Sequence, residues 1–232
     1  QPPLFRGVRG KSTRYYVQTD EEMKTQLLER GLADCWLETD DQRRIEGDPM
    51  RSLCETLAAM EEALLALERR GISLKLHAER LDSTSGRLPM FLLTVGNETH
   101  WFHSREALEE FIERENLTLE GRGESETPEA ADELPGGGER LLAHTVEMHE
   151  VKTINSGLKE LSEQGFSIRD LIPEQRTGTT ESKFHLHREE NRSGIDDLRA
   201  LLPAIRSAGE KGMQVTRFKG LGEMNPEELR ET

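Results

Sequence analysis

Between residues 48 and 70 the apolar positions Leu53, Leu57, Met60, Leu64 and Leu67 recur at spacings of four, three, four and three. That period predicts a long amphipathic helix with a heptad seam. A second three-four-three repeat, Val151, Ile154, Leu158 and Leu161, predicts a helix over about residues 140–164. The two seams could pack as an antiparallel arm, or each could face a sheet. Between them the period shortens. Leu74-Lys75-Leu76, residues 90–95 and residues 99–102 read as three strands, with Gly96-Asn97 as the turn of the last hairpin. Ser104 is placed to cap a helix that turns Leu108, Phe111 and Ile112 inward, and Thr19, with Glu22 in the capping-box position, opens one that buries Met23, Leu27 and Leu28 up to Gly31. Further along, Leu171-Ile172-Pro173 closes a segment and residues 183–187 alternate like an edge strand. Residues 194–201 and 203–210 read as two short helices, with Pro203 suited to a first helical position.

The two ends have their own pattern. Leu4-Phe5, the basic turn around Gly7, Arg9, Gly10 and Lys11, and Tyr15-Tyr16-Val17 predict a hairpin. Met213 to Thr216 predicts a strand, followed by a turn built on Gly220 and Gly222 and a helix capped by Asn225 with Pro226 at its first position. Lys219 thereby sits on a stiff turn, with Arg217 two residues earlier and on the same strand face.

At 232 residues the chain can bury a core as one large or two small domains. It starts at Gln1 and stops inside the expected terminal helix, so it reads as a piece of something longer. Residues 120–139, with Gly121, Gly123, Pro128, Pro135 and three glycines from Gly136 amid acids, offer no core face and read as a flexible acidic linker. No apolar run approaches the roughly 18 residues a membrane span needs, and nothing near Gln1 has the make-up of a secretory leader. Cys35 and Cys54 make neither a disulfide framework nor a metal quartet, so packing thiols in a reducing cytoplasm are expected.

The formal net charge of -14 argues against the chain as a whole being a nucleic-acid-binding surface, since duplex binding is dominated by neutralising phosphates. The charge is uneven, however. Residues 1–16 carry Arg6, Arg9, Lys11 and Arg14 with no acid, residues 211–219 carry Lys211, Arg217 and Lys219 with no acid, and residues 104–150 hold four Lys+Arg against 14 Asp+Glu.

Other chemistries find little support. Gly10-Lys11-Ser12 would need a glycine at position 5 for a phosphate loop, and Phe5 stands there. His100 with His103, and His185 with His187, have ligand-like spacing but no evident third ligand, so zinc is not expected. Glu106, Glu109, Glu110 and Glu113 read as a solvated helix face, and no Ser-His-Asp or Cys-His arrangement can be argued.

The run Arg217-Phe218-Lys219-Gly220-Leu221-Gly222-Glu223-Met224-Asn225-Pro226, together with the opening Gln1-Pro2-Pro3-Leu4-Phe5, Gly10-Lys11 and Tyr15 to Val17, resembles the end of the Toprim domain in B-type subunits of bacterial type IIA DNA topoisomerases. The likeness covers about 20 residues at each end. The middle is similar only to the extra domain that some gyrase-type B subunits carry inside Toprim. Arg230 stands where gyrase-type sequences usually have Trp, and Arg217-Phe218-Lys219 with Leu229-Arg230-Glu231-Thr232 is also similar to the topoisomerase IV branch, while the long insert favours gyrase.

The resemblance implies an α+β chain: the C-terminal remnant of an α/β Toprim domain, interrupted by an inserted α+β domain with long helices. Residues 1–28 and 210–232 would form the remnant and the start of the tail. Residues 29–119 would be the first part of the insert, 120–139 the linker and 140–209 the second part. It further implies a role in ATP-driven double-strand passage and supercoiling, with DNA and an A-type gyrase subunit as partners in an A2B2 heterotetramer. Mg²⁺ and ATP would serve the intact enzyme, with neither bound by this stretch. The family's Toprim Glu motif and Asp-x-Asp motif should lie upstream, and no Asp-x-Asp occurs here; the tyrosine nucleophile belongs to the partner subunit. The stretch alone is therefore expected to lack catalytic and metal-binding residues. Phosphate contacts are expected from Arg217, Lys219, Arg9 and Lys11, with Gly220, Gly222 and Asn225 shaping the turn. An acidic protein-interaction module with no DNA role is the reading of a different class.

Overall fold

The structure is a computed structural model, and it describes residues 5–9, 13–33, 35–119, 142–173 and 181–218. The elements are, in chain order, β1 (Phe5–Arg9), β2 (Thr13–Val17), α1 (Asp20–Leu32), β3 (Cys35–Glu38), β4 (Arg44–Ile45), α2 (Gly47–Arg69), α3 (Leu74–Ala78), β5 (Phe91–Val95), β6 (Glu98–Phe102), α4 (Arg105–Arg114), β7 (Thr118–Leu119), β8 (Leu142–Glu147), α5 (Glu150–Glu163), β9 (Phe184–Arg188), β10 (Asn191–Ile195), α6 (Leu201–Glu210) and β11 (Met213–Arg217). The described residues thus form a mixed α+β chain with six α-helices and three sheets. They divide into two compact units, one formed by the chain up to Ala58 together with the chain from Arg169 onward, the other by residues between Ala59 and Ile168.

In the discontinuous unit, β1 is the middle strand of a sheet ordered β11-β1-β2, antiparallel throughout. Phe5 stands opposite both Arg217 and Val17, and Phe5, Val17 and Met23 bury a small core against which Leu27 and Val215 pack. The expected hairpin and the expected junction of the two ends of the chain are both present. α1 starts where its cap predicts, the Thr19 hydroxyl accepting from the Glu22 amide while Glu22 accepts from the Gln18 amide. A second sheet, ordered β10-β9-β3-β4, buries Cys35, Leu37, Phe184 and Leu186 by strand alternation. α1 and α6 cross at glycine: a Cβ on Gly31 would lie 2.1 Å from the Ile205 carbonyl oxygen.

In the other unit, the sheet β6-β5-β8-β7 packs Phe91, Leu93 and Ala143 against Leu108 of α4, which Ser104 caps by accepting from the Ala107 amide. Asn155 of α5 makes two hydrogen bonds to one backbone residue. Its Oδ1 accepts from the Leu88 amide at 2.8 Å and its Nδ2 donates to the Leu88 carbonyl at 3.1 Å.

Five expectations need correction. Residues 183–187, expected as an edge strand, lie largely in β9, which pairs on both sides, with β10 and with β3. Leu74-Lys75-Leu76 begins a short helix, α3, because three alternating residues fit either period and Ser73 stands at its N-cap. The second long helix is shorter than its pattern. Residues 142–147 form β8, paired with β5 and β7, so the helix expected over about 140–164 is confined to the 14 residues of α5. Of the short helix expected over residues 194–201, Gly194 and Ile195 instead belong to β10, paired with β9, and Leu198–Ala200 form a 3-10 turn. Pro203 lies in the first turn of α6 instead of at its first position, still where no intrahelical donor is lost. The seam residues themselves are all buried on α2 and α5. The acidic stretch 120–139 lies outside the described residues.

Candidate nucleic-acid interface

β11 carries Arg217 at its last position, across from Phe5. The guanidinium lies 5.6 Å from the centre of the Phe5 ring and 3.5 Å from a carboxylate oxygen of Asp20, in the first turn of α1. Strand alternation puts Arg217 on the same face as Phe5 and Val17, at the rim of their core, where its side chain is 62% exposed. One end of a β-pair therefore offers a cation held by an aromatic ring and one acid, with donors left over for an anion. Phe218, the next residue, is buried, and the Arg6 guanidinium stands 5.9 Å from its ring centre.

Of the other expected phosphate contacts, Arg9 takes the register position opposite Met213. Four residues of strand separate it from the Phe5–Arg217 pair, roughly 13 Å. Lys11, Lys219, Gly220, Gly222 and Asn225 lie outside the described residues.

The structure also brings together a cluster that sequence reading missed. On the β10-β9-β3-β4 sheet, Trp36 and His187 stand in register and stack, their ring centres 3.8 Å apart and 6° from parallel. The His187 Nε2 lies 2.6 Å from Glu38, Arg192 reaches the same carboxylate at 3.5 Å, and the Arg44 guanidinium covers Trp36 at 4.4 Å. The His187 hydrogen bond, helped by Arg192, holds the Glu38 carboxyl below the usual carboxylate range. The alternation of Cys35-Trp36-Leu37-Glu38 and of residues 184–187 was the available signal, since it puts Trp36, Glu38, His185 and His187 on one face.

A family model described as the carboxyl terminus of the DNA gyrase B subunit matches residues 210–232, which include β11. Relatives align with the whole chain. The DNA gyrase B subunit of Chlamydia muridarum is 27% identical over 237 residues, covering 100% of this chain and 26% of that protein. Its counterpart in Caulobacter vibrioides is 23% identical, again over 100% of the chain and 26% of its own length. The chain is similar to gyrase B subunits from end to end. The type 2 topoisomerase B subunit of Aquifex aeolicus is 26% identical over the whole chain and 26% of that protein. The chain spans about a quarter of the length of the curated relatives it matches.

Among the described residues no group of three or more His, Cys, Asp or Glu could hold a metal ion, and no step through Mg²⁺ is derived from this chain. The histidines have other contacts: His103 Nε2 lies 3.1 Å from the Arg80 carbonyl oxygen, and His100 rests against Phe111. Burial pushes the Cys54 thiol up to about 12, so it is an inert packing group. No described helix is long and apolar enough to cross a membrane.

Proposed function

We propose that this chain is a segment of the B subunit of a bacterial type II DNA topoisomerase of the gyrase type, contributing to DNA binding at the cleavage-religation core during ATP-dependent strand passage and supercoiling. The observation that carries the reading is similarity to gyrase B subunits along the entire chain, with the family match on residues 210–232. In this reading residues 1–28 and 210–232 belong to one Toprim domain, and the pairing of β1 with β11 supports their union. Residues 29–119 and 140–209 are the insert, joined by the 120–139 linker. The intact enzyme is an A2B2 heterotetramer in the cytoplasm, with Mg²⁺ and ATP held by residues outside this chain. Gyrase is preferred over topoisomerase IV because of the long insert.

Arg217, Lys219, Arg9 and Lys11 then serve as phosphate contacts, and the acidic face carrying Glu109 and Glu113 does not. Each neutralised phosphate steepens the log-log salt dependence of duplex binding by about 0.9. In the intact B subunit with its A partner, Lys219→Ala and Arg217→Ala should each weaken binding across sequences and flatten that slope by about one unit. Glu109→Gln with Glu113→Gln should not weaken it. Unchanged affinity and slope in both cationic variants would overturn the contact assignment. Failure of the intact subunit to supercoil DNA with its A partner would overturn the enzyme reading.

A further inference from the structure

Unit 59–168 holds 11 Lys+Arg against 22 Asp+Glu, so a place where its cations converge calls for a reason. Such a place lies between the turn at residues 82–87 and α5, where a groove of about 420 Å³ is lined by Arg87, Lys152 and Lys159. Two of the unit's three lysines are in that lining. Ser156 and Ser162 line it as well. Lys152, Ser156 and Lys159 recur at four and three residues on α5, hence on one face, while Val151, Ile154, Leu158 and Leu161 are buried. Among the described residues neither lysine nor Arg87 has an ion-pair partner.

Of the acids nearby, one is turned away and one shares the lining. Asp82 is occupied within the turn, accepting from the amides of Thr84 at 3.0 Å and Ser85 at 2.6 Å, which hold its carboxyl below the usual range. Glu163 lines the groove at the C-terminal end of α5, one turn beyond Lys159. Asn155 fixes the opposite wall, since its side chain clamps Leu88, the residue after Arg87. A guanidinium on a clamped segment, two ammonium groups on a helix face and hydroxyls between them match the donor set a phosphate group needs.

We infer that this groove is a phosphate-binding site, taking either a free phosphorylated small molecule or a backbone phosphate of DNA. It is independent of the contacts proposed for Arg217 and Lys219, and its failure leaves them standing.

Calorimetric titration of the full chain with inorganic pyrophosphate tests it. The parent should bind, and Lys152→Gln and Lys159→Gln should each lose about tenfold in affinity, as expected for one charge-assisted hydrogen bond. Ser156→Glu, which sets a carboxylate among the cations, should abolish binding, while Ser156→Ala stays within about threefold. All three positions are exposed, so folding is checked by circular dichroism and should be unchanged. A parallel titration with a short DNA duplex separates the sources. If Lys152→Gln and Lys159→Gln weaken duplex binding and together flatten its salt slope by about two units, the ligand is a backbone phosphate. If they affect pyrophosphate alone, it is a free phosphorylated molecule. Pyrophosphate that does not bind, or that binds Ser156→Glu as well as the parent, overturns the site.

Discussion

Gly209 of α6 lies so close to α1 that a Cβ atom on it would stand 2.0 Å from the carbonyl oxygen of Leu27. No rotamer change relieves that overlap, because the obstacle is backbone and the two helices would have to separate. Gly209→Ala should therefore destabilise the discontinuous unit by about 1–3 kcal/mol, despite the better helix propensity of alanine. Denaturant unfolding of the full chain measures it; an unchanged or raised midpoint would show that the crossing is looser than this contact demands.

Asn155 offers a second test. Replacing it with Ala leaves the buried amide and carbonyl of Leu88 without their side-chain partner, at about 1–3 kcal/mol for each unsatisfied group. Asn155→Ala should lower the unfolding midpoint markedly. Ser156→Ala, at an exposed position one residue on, should not.

His77 gives a pH signature. It is buried, its ring meets Trp101 edge-on with centres 5.1 Å apart, and its Nε2 lies 3.0 Å from the Pro89 carbonyl oxygen. Burial holds its pKa below the ordinary 6.5. The unfolded chain thus takes up the proton first, so this histidine's contribution is complete above pH 6.5 and is lost as pH falls through the lowered folded value. Subtracting the stability profile of His77→Gln from that of the parent should leave a slope just below pH 6.5 and none above pH 8. A flat difference throughout would mean that the ring is not held neutral.

For Arg217 the expectation is a small effect on the fold. Its pair with Asp20 is more than half exposed on both sides, and such pairs contribute about 0–1 kcal/mol. Arg217→Ala should therefore unfold within about 1 kcal/mol of the parent by denaturant titration. A larger loss would mean that the residue is structural and would weaken the phosphate-contact assignment.

The sequence was most informative where short-range physics decides. The heptad positions of α2, the caps Thr19 and Ser104, and the hairpin of β5 and β6 depend on residues within one or two turns of each other. Where the structure departs from the pattern, a distant partner decided. β8 lies within a helix-like run because β5, some 50 residues earlier, pairs with it residue for residue, and Thr145-Val146 suits that pairing. β10 includes Gly194, a poor strand former, yet pairs across from His185 on β9. The Trp36–His187 stack joins residues 151 positions apart, so no local window could reveal it. The junction of β1 with β11 is as distant, and it was anticipated only because the wording of the two ends resembles one domain of a known family.

That junction also governs the order of events at the ribosome. Phe5 is made more than 200 residues before Arg217, its cross-strand neighbour. At about 5–20 residues per second, β1 waits roughly 10–40 seconds for its β11 partner. The residues between Ala59 and Ile168 emerge in that interval and can fold first. Pairing of β11 with β1 thus follows synthesis of all the intervening chain, and until then the β1 edge that β11 covers is without that partner.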